Sequence, residues 1–319
     1  MLSYVLLVSI VGCVLAGPSV TRSRQEIEAF EAFLAKGRTD DGVLLETRML
    51  ANPLASEWEN SGKYQGDILL DDHQVKSLVE QYAQGRNAYT WPNTTWPNNV
   101  IPWDFAEDTF EAIIAGVKEI EDRTCIRFRF REPEDVNYVR VTGLPGGCYA
   151  NVGYSATRGR HTYNLALNTP GLGCFRHTTI VHEWLHIIGF LHMQSTHNRD
   201  DYVRIVWENI QAGTENNFQK YSEDLVDNLE LPYEYDSVMH YGAYGFSING
   251  EPTIVALQVS ILLLLHLHIP KVKKKNKNMK STYMILMNVV QSHKVTEIFV
   301  KPLKRWSFEK RRQETQATL

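Results

Sequence analysis

The chain has 319 residues, 43% apolar and 22% charged, with a formal net charge of -4. That much apolar material excludes wholesale disorder and suffices for one large domain or two modest ones, and the small net charge argues against a dedicated nucleic-acid binder. The average hides a division: residues 258–319 hold 13 Lys and Arg against 3 Asp and Glu, a net of +10, and contain no Gly or Cys, which leaves residues 1–257 at -14.

The first sixteen residues, MLSYVLLVSIVGCVLA, form a short apolar run closing on small residues at Ala16 and Gly17. This is the pattern of a secretory signal peptide, and the run is shorter than the roughly 20 residues that cross a bilayer. The expectation is a secreted, extracellular protein with no stable membrane span. Secretion permits disulfides, and loss of Cys13 with the leader leaves Cys125, Cys148 and Cys174. Residues 17–86 are polar, with helical patterning from Ile27 to Leu34 and no catalytic constellation of their own. They read as a pro-segment or linker. Asn93-Thr94-Thr95 is a glycosylation acceptor in a stretch rich in Trp and Pro.

Beyond it, Phe110, Ile113, Ile114, Val117 and Ile120 follow the i, i+3, i+4, i+7 stripe of a core-facing helix. Ile126, Phe128 and Phe130 alternate with arginines and predict a half-buried strand, as do Tyr138–Val141 and Tyr163–Leu167, with a turn over 143–147. A helix, several strands and a further helix predict an α+β domain.

That further helix carries HEWLHIIGFLH, with His182, Glu183, His186, Gly189 and His192. At 3.6 residues per turn His182 and His186 share one face and reach a single metal ion. Glu183 sits one position round, beside the metal, where its carboxylate can take a proton from water. Gly189 admits a left-handed conformation that ends the helix and returns His192 as a third ligand. Three protein ligands leave a position open, the arrangement of a catalytic zinc site. His177 and His197 flank the motif at unsuitable spacing and are assigned to surface or core packing.

HEWLHIIGFLH, the following NRDDYV at Asn198–Val203, and DSVMHYG at Asp236–Gly242 together resemble the astacin family of secreted zinc endopeptidases, within the metzincin group, over about residues 62–256. The resemblance implies a zincin-like twisted mixed sheet with a zinc-binding helix, one zinc ion per chain, and protein or peptide substrates. Met239 would form a hydrophobic base beneath the metal, and Tyr241 a labile further ligand that donates to the oxyanion during turnover. YQGDI at Tyr64–Ile68 is similar to the family's pro-segment motif, whose Asp would be Asp67 on the metal's open position. Gly85-Arg86 followed by Asn87 resembles the activation junction, so a trypsin-like protease is the implied activator. Cys148 and Cys174 match family positions that pair with each other, and Cys125 matches one whose partner is missing here.

The implied division is a signal peptide at 1–16, a pro-segment at 17–86, a peptidase domain at 87–257 and a basic tail at 258–319. Met193, Thr196 and Asn198 depart from the family's Glu, Arg and Asp, so Met193 cannot anchor a new N-terminus as that Glu does. Likeness stops near Leu257. The tail is expected to be foreign to the fold, through aberrant splicing or a misread gene end, rather than a membrane anchor or a nucleic-acid binder. The alternative to an active peptidase is a zinc-binding but catalytically impaired member lacking its C-terminal packing.

Overall fold

The structure is a computed structural model that describes residues 22–83, 94–105, 110–221 and 231–257. The expected signal peptide, the Arg86–Asn87 junction, the Asn93 acceptor and the 258–319 tail lie outside the described residues.

Among the described residues three α-helices precede the sheet. The first, α1 (Arg24–Lys36), starts on a reciprocal cap between Ser23 and Glu26 and buries Phe30 and Leu34. It is followed by α2 (Leu45–Ala51) and α3 (Asp72–Ala83). Asp71 and Gln74 exchange the same kind of cap, Gln74 N–H donating to Asp71 Oδ1 at 2.8 Å and Asp71 N–H to Gln74 Oε1 at 3.0 Å. Phe30 of α1 stacks on Tyr82 of α3 at 4.3 Å. Around them Leu34, Tyr64, Ile68, Leu70, Val75 and Leu78 form a small apolar cluster that also takes in Val152 from the later part of the chain.

The main layer is a five-stranded mixed sheet of β1 (Val100–Phe105), β2 (Arg127–Phe130), β3 (Tyr138–Thr142), β4 (Cys148–Ala150) and β5 (Arg160–Leu165), in the order β2-β1-β3-β5-β4. All neighbours run parallel except β4 against β5. Two helices pack on one another beside this sheet, α4 (Phe110–Arg123) and α5 (His177–Ile188). The expected stripe of α4 is buried at Ile113, Val117 and Ile120. On α5, Trp184 stacks on Tyr163 at 4.5 Å and meets Phe128 edge-on at 4.8 Å, which fixes the helix against the sheet with its histidine face turned away. A two-stranded antiparallel pair, β6 (Val203–Ile205) with β7 (Ile254–Ala256), completes the described fold. Cys148 and Cys174 are bridged, tying β4 to the turn before α5, and Cys125 is free and exposed.

Two strand expectations shift. The predicted Tyr163–Leu167 strand is Arg160–Leu165, because Leu165 pairs with Cys148 at the end of the short β4, and the exposed Leu167 lies past that ladder. The interior strand β1 is not anticipated by the sequence: Pro102 lies inside it, and proline, having no N–H, argues against an interior strand.

His161, fully buried in β5, gives the domain an acid-sensitive point. Its Nε2 accepts from Ser155 N–H at 3.0 Å while Nδ1 donates to Gly159 O at 3.1 Å, a pattern only the neutral ring satisfies. Burial, with the Arg158 charge beside it, pushes its pKa down to about 4 from 6.5. Between pH 6.5 and 4 the unfolded chain therefore binds a proton that the folded chain refuses, and stability falls across that window by up to about 3 kcal/mol. Urea unfolding followed at intervals from pH 7 to pH 4.5 should show this slope, and His161→Gln should make it shallower without abolishing it, because buried His192 is held down to about 4 as well.

Candidate metal centre

The end of α5 is set by Gly189, whose φ of 121° lies where side chains other than glycine are strained. Gly189 N–H closes the helix on Leu185 O and His186 O. The chain then turns back and brings His192 to face His182 and His186, with all three rings buried.

Each ring is oriented by its Nδ1. His182 donates from Nδ1 to Val238 O at 2.6 Å, His186 to Phe190 O at 2.8 Å and His192 to Gln65 Oε1 at 3.1 Å. With the proton committed to Nδ1, the three Nε2 atoms carry lone pairs directed at one another. Burial lowers the pKa of His182, and that of His192 to about 4, which keeps these rings neutral.

Into this triangle comes Asp67. Its Oδ2 lies 2.8 Å from His182 Nε2, and its Oδ1 lies 3.4 Å from His186 Nε2 and 3.2 Å from His192 Nε2. The four ligand atoms lie within 4.8 Å of one another. His186 Nε2 and Asp67 Oδ1 are buried with no hydrogen-bond partner. Three imidazole lone pairs and a carboxylate facing a common point repel unless a cation lies between them. Three nitrogens and one oxygen are a donor set suited to tetrahedral zinc.

Glu183 is fully buried beside these ligands, and both of its carboxylate oxygens are without a hydrogen-bond partner. Burial, and then the charge of Asp67, raises its pKa well above the usual carboxylate range. Met239 is buried, its carbonyl accepts from Met193 N–H at 2.9 Å, and its neighbour Val238 holds His182. The turn at Asp236–Gly242 thus braces the metal loop from below. Tyr241 is buried with its ring 5.0 Å from His192, and its hydroxyl donates to Gln65 O at 2.7 Å. His177 is half exposed and pairs with Glu119, and His197 is half-buried away from the cluster.

How Asp67 arrives is a matter of local strain and edge pairing. Lys63 and Gly66 close a tight turn by mutual backbone bonds, with Gln65 at φ 47° and Gly66 at φ 89°. A side chain at Gly66 would meet Glu59 Cα at 2.9 Å. Past the turn the chain runs parallel to β4: Ala150 N–H donates to Asp67 O at 3.0 Å and Leu69 N–H to Ala150 O at 2.9 Å. The free edge of the sheet is thereby covered. Three residues that sequence reasoning misses complete the closure. Trp58 stacks on His182 at 4.1 Å and on His192 at 5.2 Å. Buried Glu59 accepts from Gly242 N–H at 2.8 Å, and Gln65 links His192 to Tyr241. The available signal is Trp58, an isolated aromatic in a polar stretch.

An α+β domain in which a mixed sheet supports a helix bearing two of three convergent imidazoles, with the turn at Val238–Met239 bonded to His182 and to Met193, has the metzincin-like fold. The sequence profile of the Astacin peptidase family matches residues 88–267, and the chain belongs to that family. It is 36% identical to zinc metalloproteinase nas-4 of Caenorhabditis elegans over 61% of each protein. It is 34% identical to zinc metalloproteinase nas-6 of the same organism, over 81% of this chain and 69% of that one. Among solved structures it is similar to high choriolytic enzyme 1, a hatching enzyme zinc-protease of the medaka fish Oryzias latipes. That match has 28% identity and a TM-score of 0.45, over 63% of this chain and 94% of that one. The chain thus spans about three fifths of the length of nas-4. Among the described residues no helix is long and apolar enough to cross a membrane.

Proposed function

We propose that this chain is a secreted zinc endopeptidase made as a latent zymogen, in which residues 17–86 block the catalytic site and cleavage after Arg86 releases it. The observation that carries this reading is the convergence of three Nδ1-tethered imidazoles and Asp67 on one point. Family membership supplies the reaction class, hydrolysis of peptide bonds in proteins.

His182, His186 and His192 would hold the zinc, with Asp67 on the fourth position in the latent form. A zinc ion held by these residues would supply a Lewis acid for the scissile carbonyl and for a water whose pKa it would lower toward about 7. Glu183 takes the proton of the attacking water and delivers it to the leaving amine, so no covalent intermediate forms on the protein. Tyr241, relieved of Gln65 O when the pro-segment leaves, has its hydroxyl free to donate to the developing oxyanion. The β4 edge now covered by Asp67–Leu69 receives the substrate as an added extended strand. The disulfide between Cys148 and Cys174 holds that edge to the base of α5.

The test is direct. The purified, uncleaved chain should carry one zinc and be inert toward casein; limited trypsin treatment should produce casein hydrolysis that a chelator abolishes and added zinc restores. Zinc retention without hydrolysis after complete processing would instead establish a catalytically impaired family member.

A further inference from the structure

Asp67 is not the only carboxylate that the pro-segment lays against the catalytic part. Four positions on, Asp71 Oδ2 accepts from Arg158 Nη2 at 2.5 Å, while Oδ1 of the same group caps α3. Arg158 lies in the loop between β4 and β5, and its Nη1 donates to Gly153 O at 3.1 Å. The guanidinium is thus fastened to the catalytic part just beyond the β4 edge, with its side chain only 9% exposed. Burial lowers the pKa of Arg158, and Asp71 is the acid that opposes this. Its Nε is buried with no hydrogen-bond partner. Gln74 seals the contact by donating from Nε2 to Val152 O at 3.2 Å. The pro-segment therefore fills two charged positions along one edge: the metal with Asp67, and Arg158 with Asp71.

We propose that Arg158 is a specificity residue of the substrate groove, which selects an Asp or Glu side chain roughly three to five residues from the scissile bond. This deepens the zymogen reading and rests on it, since a substrate must occupy the edge that the pro-segment vacates. Four residues of extended chain span about 13 Å, so an arginine at that distance touches neither the metal nor the reacting carbonyl. When the pro-segment departs, Arg158 keeps the Gly153 carbonyl and loses Asp71, its one acidic partner among the described residues. A half-desolvated guanidinium facing an open groove favours a carboxylate, which restores the charge-assisted pair, and disfavours an amide or a cation, which leaves it unmatched. A substrate running parallel to β4, as the pro-segment does, carries the acid on the C-terminal side of the scissile bond; an antiparallel one carries it on the N-terminal side.

The experiment uses the full chain, zinc-loaded and trypsin-processed, with quenched fluorogenic peptides. These are matched in pairs differing only by Asp or Asn, scanned over positions two to six residues on either side of the cleaved bond. The expected result is one position at which Asp raises kcat/KM about tenfold over Asn. That preference should shrink to within about twofold in Arg158→Gln and survive in Arg158→Lys. A wild type indifferent to Asp at every position overturns the proposal, as does a preference that persists in Arg158→Gln. Fluorescence anisotropy of the same peptides on processed Glu183→Ala protein reads recognition without turnover. Tighter binding of the Asp peptide that Arg158→Gln removes supports the assignment, and equal binding sinks it. Failure of the wild type to cleave any peptide sinks the peptidase reading instead.

Discussion

Replacing Glu183 with alanine is expected to lower peptide hydrolysis by the processed chain about 10²- to 10⁴-fold, the range of a general base, while zinc content stays at one per chain. The two readouts separate because Glu183 is absent from the four convergent donors yet adjoins His182 on the same helix. Its two oxygens find no hydrogen-bond partner among the described residues. Burying a carboxyl group without a hydrogen-bond partner is costly, and a role in chemistry at the neighbouring site accounts for that cost. Thermal unfolding of Glu183→Ala should therefore occur at or above the wild-type temperature, in contrast to His186→Ala, where a metal ligand is lost. Near-normal hydrolysis by the Glu183 variant would remove it from the mechanism and leave the reaction without its base.

The metal centre is legible in the sequence because its parts are local. His182, Glu183, His186, Gly189 and His192 fall within eleven residues; helix geometry places two imidazoles on one face, and Gly189 ends the helix so that the third turns back. The core stripe of α4 and the strands at Arg127 and Tyr138 are legible for the same reason: a period of 3.6 or of 2 shows within a single element. What escapes is set by distant partners. Nothing near Trp58 shows that its ring will cover two histidines more than 120 positions away, and nothing near Gln65 foretells bonds to both His192 and Tyr241. The strand β1 hides behind Pro102, and α3 behind a polar surface, although its Asp71-to-Gln74 cap is written in the residues themselves. Met239 and Tyr241 acquire meaning only through likeness to a family, since a buried Met and Tyr at that spacing suit any core.

Replacing Asp67 with alanine is expected to make the uncleaved chain hydrolyse casein about tenfold or more above the intact zymogen, yet below the trypsin-processed enzyme. Two sets of contacts produce that intermediate level. The carboxylate is the one group among the four convergent donors that lies before the family-matched residues 88–267, and without it the fourth position would open to water. The neighbouring residues still cover the site: Leu69 N–H and Asp67 O remain bonded to Ala150, Trp58 still covers His182, and Gln65 O still holds the Tyr241 hydroxyl. None of those three contacts needs the Asp67 side chain. Asp67→Ala also removes the carboxylate that faces all three imidazoles, which Glu183→Ala does not, so its melting temperature should fall even as its activity rises. Pairing it with Trp58→Ala should raise the uncleaved activity further, because two separate obstructions are then removed. An Asp67→Ala zymogen as silent as the wild type, with zinc still bound, would shift latency from the metal to the covered edge of β4. Adding Trp58→Ala would then bring no activity either, because Leu69 N–H and Asp67 O stay bonded to Ala150, and only cleavage of the chain would release the edge.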